Sequence, residues 1–136
     1  MELDKKFFIK NFWGKTELAL IEAEKNINCN ALMSAQNRIY YAIFYSVMTL
    51  AYSNNYKTSK HASLMGWFNK TYIHENKIFN KKMFKIYQNA FSNRMDSDYS
   101  CFYETTVGDV KDNFENARLF ISNIKNYLID NNILEK

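Results

Sequence analysis

Three arginines, Arg38, Arg94 and Arg118, stand in a chain whose other basic side chains are all lysines. A guanidinium offers five donors in a planar fork that fits carboxylate or phosphate, a geometry lysine does not reproduce. Arg94 lies seven, four and three residues beyond Tyr87, Ala90 and Phe91, so it projects from the apolar side of a helix through that segment. Arg38 stands close before Tyr41, Ala42 and Tyr45, again beside an apolar face. A guanidinium against a core has to meet an anion, because an unpaired buried charge is expensive. Two arrangements meet that need. In one, Asp96 or Asp98 pairs with an arginine and fixes the corner between the last two helices. In the other, Arg94 is the bidentate donor of a phosphate-binding pocket, to which Arg38 and Lys60 add positive charge.

His61 directly follows Ser59-Lys60. Its imidazole titrates near neutrality, which suits a general acid or base, although a histidine at a helix start also serves as a surface or capping group. His74 falls in a polar joint and is expected in solvent. The sequence has no glycine-rich phosphate loop, no Ser-His-Asp set and no metal-ligand cluster. Asp96-Ser97-Asp98 brings only two carboxylates, weak grounds for a cation site. Neither a metal nor a cofactor is expected.

Helices must position these groups. The first is predicted from about Asp4 to Asn28, with Phe8, Phe12, Leu18, Ile21 and Ile27 as its apolar positions, and Asn28-Cys29-Asn30 breaks it. The second, from about Ala31 to Ser53, is apolar nearly all round, so it must be covered on most sides. It reads as the central element of a bundle, or as one shared with a subunit interface. Thr58 or Ser59 is the expected cap of a third helix reaching about Tyr72, with Leu64, Trp67, Phe68 and Tyr72 inward. The stretch from His74 to Phe79 reads as a joint, and Asn80 as the cap of a fourth helix to about Met95, with Phe84, Tyr87, Phe91 and Met95 on its inner face. Asp96 to Thr105 reads as a loop. Thr106 and Asp109 then resemble a capping box ahead of the stripe Val110, Phe114, Ala117, Ile121, Ile124 and Leu128.

Composition agrees with an all-α chain. There is no proline and only 3 glycines, too few turn residues for a sandwich or barrel. Hydrophobic residues at 47% exclude a disordered chain. A length of 136 residues suits one domain spanning 1–136, given ~100–200 residues per domain. Eighteen basic against fourteen acidic side chains give a net charge of +4, which tolerates a nucleic-acid partner without requiring one. Cys29 and Cys101 form no C-x-x-C pair, which fits a reducing cytoplasm. Met1–Lys10 has no signal-peptide pattern, and Ile39–Tyr52 is too short for the ~20 residues of a membrane span. A soluble, cytoplasmic protein is expected.

Asn37-Arg38-x-Tyr40-Tyr41-Ala42-x-Phe44-Tyr45 resembles the second-helix signature of HEPN-domain proteins, in particular a small stand-alone prokaryotic group. Ser59-Lys60-His61-x-Ser63 followed by Phe68-Asn69-Lys70 resembles their third-helix segment, and Arg94-x-x-x-Asp98-Tyr99 resembles the box closing their fourth helix. The resemblance implies an up-and-down bundle of four to five helices, commonly a homodimer, that acts on or binds RNA. Many such proteins are metal-independent ribonucleases, and some are toxins neutralised by a small nucleotidyltransferase antitoxin encoded beside them. It implies catalytic roles for Arg94, Asp98 and Tyr99, with two Arg94 side chains meeting across a dimer; separately, a His61 that reaches this site from the third helix would open a general acid–base route to 2′-hydroxyl attack. Tyr99 is also the position at which a nucleotidyltransferase would modify the chain. In the nuclease branches a histidine follows the arginine about a turn later; here Asp98-Tyr99 stand there and no histidine follows. A non-enzymatic, partner-binding bundle with Arg94, Asp98 and Tyr99 as a structural lock is the alternative.

Overall fold

The computed structural model describes residues 2–135. Its elements are α1 (Glu2–Asn28), α2 (Leu32–Ser53), α3 (His61–Phe68), a π-helix (Asn69–Glu75), α4 (Lys81–Tyr99) and α5 (Val107–Asp130). Arg38 of α2 faces Glu22 of α1 while Tyr52 meets Phe8, so these two helices run antiparallel. Asp98 of α4 meets Asn37 while Tyr87 meets Tyr40, and Asn123 of α5 meets Met83, so α4 and α5 continue the up-and-down order. The all-α bundle is as expected.

The centre is α2. Ile39, Tyr40, Ala42, Ile43, Val47 and Leu50 are sealed from solvent by the surrounding helices. Most of its apolar circumference is thus covered within the chain, while Tyr41, Tyr45 and Tyr52 are only partly buried. Exposed apolar side chains lie instead along the outside of α1: Leu3, Phe7, Leu18 and Ile21. The inward face of α1 is Ile9, Trp13, Thr16, Ala19, Ala23 and Ile27, which corrects the expected face at every position but Ile27 and the partly covered Phe12. At mid-helix the small residues Thr16, Ala19 and Ala23 let the two backbones approach closely, while Leu18 and Ile21 between them are left outside.

With few glycines, asparagine ends the helices. Asn30, Asn55 and Asn132 take the left-handed conformation after α1, α2 and α5, at φ 62°, 59° and 59°. Asparagine tolerates that region better than other non-glycine residues. Beyond Asn55 the chain doubles back beside α2, so that His61 meets Phe44 before α3 and the π-helix return to Asn54. Neither Thr58 nor Ser59 caps α3: Lys60 holds that position, and Thr58 Oγ1 accepts from the Lys60 N–H at 3.2 Å. The helix also ends at Phe68, four residues short of Tyr72, and widens into the π-helix, where His74 is exposed.

Asn80 and Thr106 cap α4 and α5 as expected, accepting from the N–H groups of Met83 and Asp109. The larger correction is at the end of α4. The helix continues to Tyr99, so Asp96 to Tyr99 are helical rather than loop. Its buried face is Met83, Ile86, Tyr87, Ala90 and Ser97, while Phe84 and Phe91 are half-buried and Met95 is exposed.

Candidate functional site

Side chains of α2, α4 and the start of α3 build one cluster. Asn37, Arg38, Tyr40, Tyr41 and Phe44 occupy adjoining positions on two turns of α2, α4 brings Arg94 and Asp98 alongside, and α3 begins with His61. Because α4 stays helical through Asp98, Arg94 and Asp98 fall one turn apart and pair, Nε to Oδ2, at 3.1 Å. The same carboxylate oxygen accepts from Asn37 Nδ2 at 3.4 Å. The Arg94 guanidinium lies over the rings of Tyr40 and Tyr41, its carbon 5.5 and 5.4 Å from their centres. Arg38 lies 5.1 Å from the Tyr41 centre and hydrogen-bonds Asn37 Oδ1 through Nε and Nη2 at 3.1 and 2.7 Å, with Glu22 at 3.4 Å.

Arg94 is thus held but not consumed. Its side chain keeps 16% of its accessible surface. Asp98 occupies the Nε edge, and among the described residues the outer nitrogens make only a 3.9 Å contact from Nη1 to Met95 Sδ. That outer edge is the part of the fork able to take a second anion.

His61 meets the same aromatic group from the other side. Its Nδ1 is 2.6 Å from the Tyr40 hydroxyl, and its ring stacks on Phe44 at 4.3 Å between centres. Burial lowers the His61 pKa first, and the Arg94 charge lowers it further. Burial raises the pKa of Tyr40, with Arg94 opposing and Tyr41 adding. Both therefore remain neutral near neutrality. When His61 Nδ1–H donates to Tyr40, Nε2 keeps its lone pair and can accept a proton.

Of the residues expected at a site, Arg94, Asp98, Arg38 and His61 gather around Tyr40 and Tyr41. Tyr99 does not: it is 72% exposed, at the end of α4. Lys60 is exposed and its ammonium has no partner among the described residues. Arg118 pairs with Glu115 on the outer surface of α5. Asn37, Tyr40, Tyr41 and Glu22 belong to the cluster without having been singled out for it. The i, i+3 spacing of Arg38 and Tyr41 was the available signal, whereas the Tyr40–His61 bond had none, because the two residues meet only after the chain doubles back. Among the described residues no group of three or more His, Cys, Asp or Glu side chains could hold a metal ion, and no helix is long and apolar enough to cross a membrane.

A family model described as HEPN domain matches residues 9–127. The UPF0332 protein of Thermotoga maritima is 31% identical over 129 residues, covering 94% of this chain and 97% of the relative. A protein of Methanocaldococcus jannaschii named "Putative toxin" is 28% identical over 135 residues, covering 99% of this chain and 91% of the relative.

Proposed function

The chain belongs to the HEPN domain family, and from that premise we propose that it is a toxin-like protein acting on RNA, with Arg94 binding phosphate and His61 carrying the proton. One observation carries the reading: Arg94 from α4 and His61 from α3 converge on a single residue, Tyr40, as a cation over its ring and an imidazole on its hydroxyl. A hydrogen-bond donor for phosphate and a neutral base, both held against Tyr40, are what metal-independent strand cleavage needs. His61 Nε2 takes the proton of a ribose 2′-hydroxyl as that oxygen attacks the neighbouring phosphorus. The bond from phosphorus to the 5′-oxygen breaks, a 2′,3′-cyclic phosphate forms, and the leaving oxygen takes a proton from solvent. The outer edge of Arg94 stabilises the charge that develops on the phosphoryl oxygens. Tyr40 orients the imidazole, and Asp98 and Asn37 hold the guanidinium in place.

The name of the Methanocaldococcus relative supports toxin-like behaviour; the partner proposed beside it, a small nucleotidyltransferase antitoxin, follows from the resemblance of the Arg94, Asp98 and Tyr99 box. Tyr99, with its phenol in solvent one residue beyond Asp98, is accessible to such an enzyme. A homodimer would form through the exposed apolar side of α1. The test is cleavage of total RNA by purified protein in chelator. Cleavage that Arg94→Ala abolishes supports the reading, and no cleavage, or cleavage indifferent to that change, rejects it.

The Arg94–Asp98 ion pair favours a second reading, a non-enzymatic partner-binding bundle in which this box locks α4 onto α2. Tyr99 takes no part in such a lock.

A further inference from the structure

The charge of the chain is concentrated in one place. Residues 69–85 contain five lysines, Lys70, Lys77, Lys81, Lys82 and Lys85, against the single acid Glu75. That excess equals the +4 of the whole protein, so the remaining charges cancel. The segment comprises the π-helix, the turn after it and the first turns of α4. His74, Lys77, Asn80 and Lys81 line one open concavity there, floored by Ile73, Ile78 and Phe79. No acid stands in the first turn of α4, where the helix dipole favours negative charge, and two lysines stand there instead. None of the five lysines forms an ion pair among the described residues.

Lys77 adds an independent observation. It is the fourth non-glycine residue in the left-handed region, at φ 51°. At the other three such positions the chain uses asparagine, which bears that conformation more easily. Here it places a lysine, in the lining of the concavity, against local preference. A side chain kept where the backbone disfavours it points to a use for its charge.

We infer that this concavity and its lysines form a second polyanion-binding surface, one that holds the phosphate backbone of single-stranded RNA. Arg94 lies thirteen positions beyond Lys81 along α4, about 20 Å at ~1.5 Å per residue, so the surface lies apart from the Arg94 cluster. The inference rests on the RNA reading above for the identity of its ligand. Lysines bind backbone phosphate as point charges without reading sequence, so the contribution is to affinity and its salt dependence.

The experiment measures fluorescence anisotropy of a labelled single-stranded RNA across a salt series. It compares the wild-type chain, Lys77→Ala/Lys81→Ala/Lys85→Ala, Arg94→Ala, and a control of equal charge loss on α1, Lys5→Ala/Lys6→Ala/Lys10→Ala. The patch variant is expected to bind about tenfold or more weakly, and to lose about 2 from the slope of log affinity against log salt, ~0.7 per phosphate contact. The control should lose less than a third of that. Lys77→Asn alone gives a readout of opposite sign: RNA binding weakens while the melting temperature rises by about 1–4 °C as the left-handed position is relieved. Equal losses in patch and control variants mean only net charge matters and overturn the inference. An unchanged patch variant beside a weakened Arg94→Ala also overturns it, leaving the RNA reading intact and assigning the lysines to another partner such as an acidic protein. Wild-type protein that binds no RNA overturns both.

Discussion

Replacing Arg94 by alanine separates a phosphate-binding arginine from a structural one, because the geometry assigns different magnitudes to the two roles. The pair with Asp98 is one helical turn long and still partly open to water, at 16% and 28% side-chain exposure, which makes it worth ~0.3–1 kcal/mol. Cation–π contacts with Tyr40 and Tyr41 add ~0.5–1 kcal/mol each at such exposure. These terms share one group and do not add fully, so Arg94→Ala should destabilise the fold by about 1–2 kcal/mol. For a chain of this length that lowers the melting temperature by roughly 3–8 °C and leaves a protein of ordinary stability folded at 25 °C. Loss of a preorganised donor to a transition-state oxyanion costs ~10²–10³ in rate. Thermal melts and a gel assay on RNA in chelator read the two effects separately. The companion Asp98→Asn keeps the guanidinium charge; it should lose ~0.3–1 kcal/mol of stability and bind RNA no worse than the wild type. Cleavage by Arg94→Ala within about threefold of wild type would refute the phosphate role. A stability loss of ~3–5 kcal/mol, the scale of a broken buried pair, would refute the reading of Arg94 as partly open and favour the lock.

Three other outcomes follow from the same geometry. Because the folded-state pKa of His61 is lowered, the unfolded chain binds more protons between that value and the ordinary 6.5; stability contributed by neutral His61 is present above this window and lost as pH falls through it. Melting temperatures of wild type and His61→Gln from pH 7 to 5 should therefore differ in slope, with the wild type falling more steeply, and the RNA cleavage rate should climb with rising pH through an inflection below pH 6.5. Tyr87 is fully buried and its hydroxyl has no hydrogen-bond partner among the described residues. Tyr87→Phe should leave the melting temperature unchanged or raise it by a few degrees, on the order of the 1 kcal/mol recovered by removing an unsatisfied polar group; a clear drop would reveal a partner for that hydroxyl. Phe7→Glu/Leu18→Glu on the outer side of α1 should convert a dimer to a monomer in sedimentation without changing the melt of the monomer, and an unaltered sedimentation coefficient would remove α1 from the interface.

Much of this arrangement was legible in the sequence, and the misses share a cause. Helices 2 and 5 were readable because one is apolar all round and the other carries an unbroken stripe. On α1 the large apolar residues misled, since close packing against α2 selects Ala19, Ala23 and Thr16, whose side chains carry little hydrophobic signal. The last turn of α4 was hidden because Asp96 to Tyr99 has no apolar period. What keeps it helical is polar: the Arg94–Asp98 pair and the Ser97 hydroxyl donating to the Arg94 carbonyl at 3.1 Å. At the site, Arg94 announced itself by standing on an apolar face, but its meeting with His61 depends on how far the chain travels back after α2. Local periodicity carries no record of that distance.

That return also has a length requirement. The stretch between α2 and α3 is fastened at one point by the Tyr56 ring lying parallel to Trp67, 5.0 Å between centres, and it delivers His61 to Tyr40 at 2.6 Å. An extended residue spans ~3.3 Å, more than the hydrogen bond it sets. Removing a single residue there would leave every helix its full set of internal bonds and still draw the imidazole out of reach. Chain length in an unremarkable connector thus acts as the ruler of the site, and relatives that differ by one residue there would share the bundle while losing the pairing.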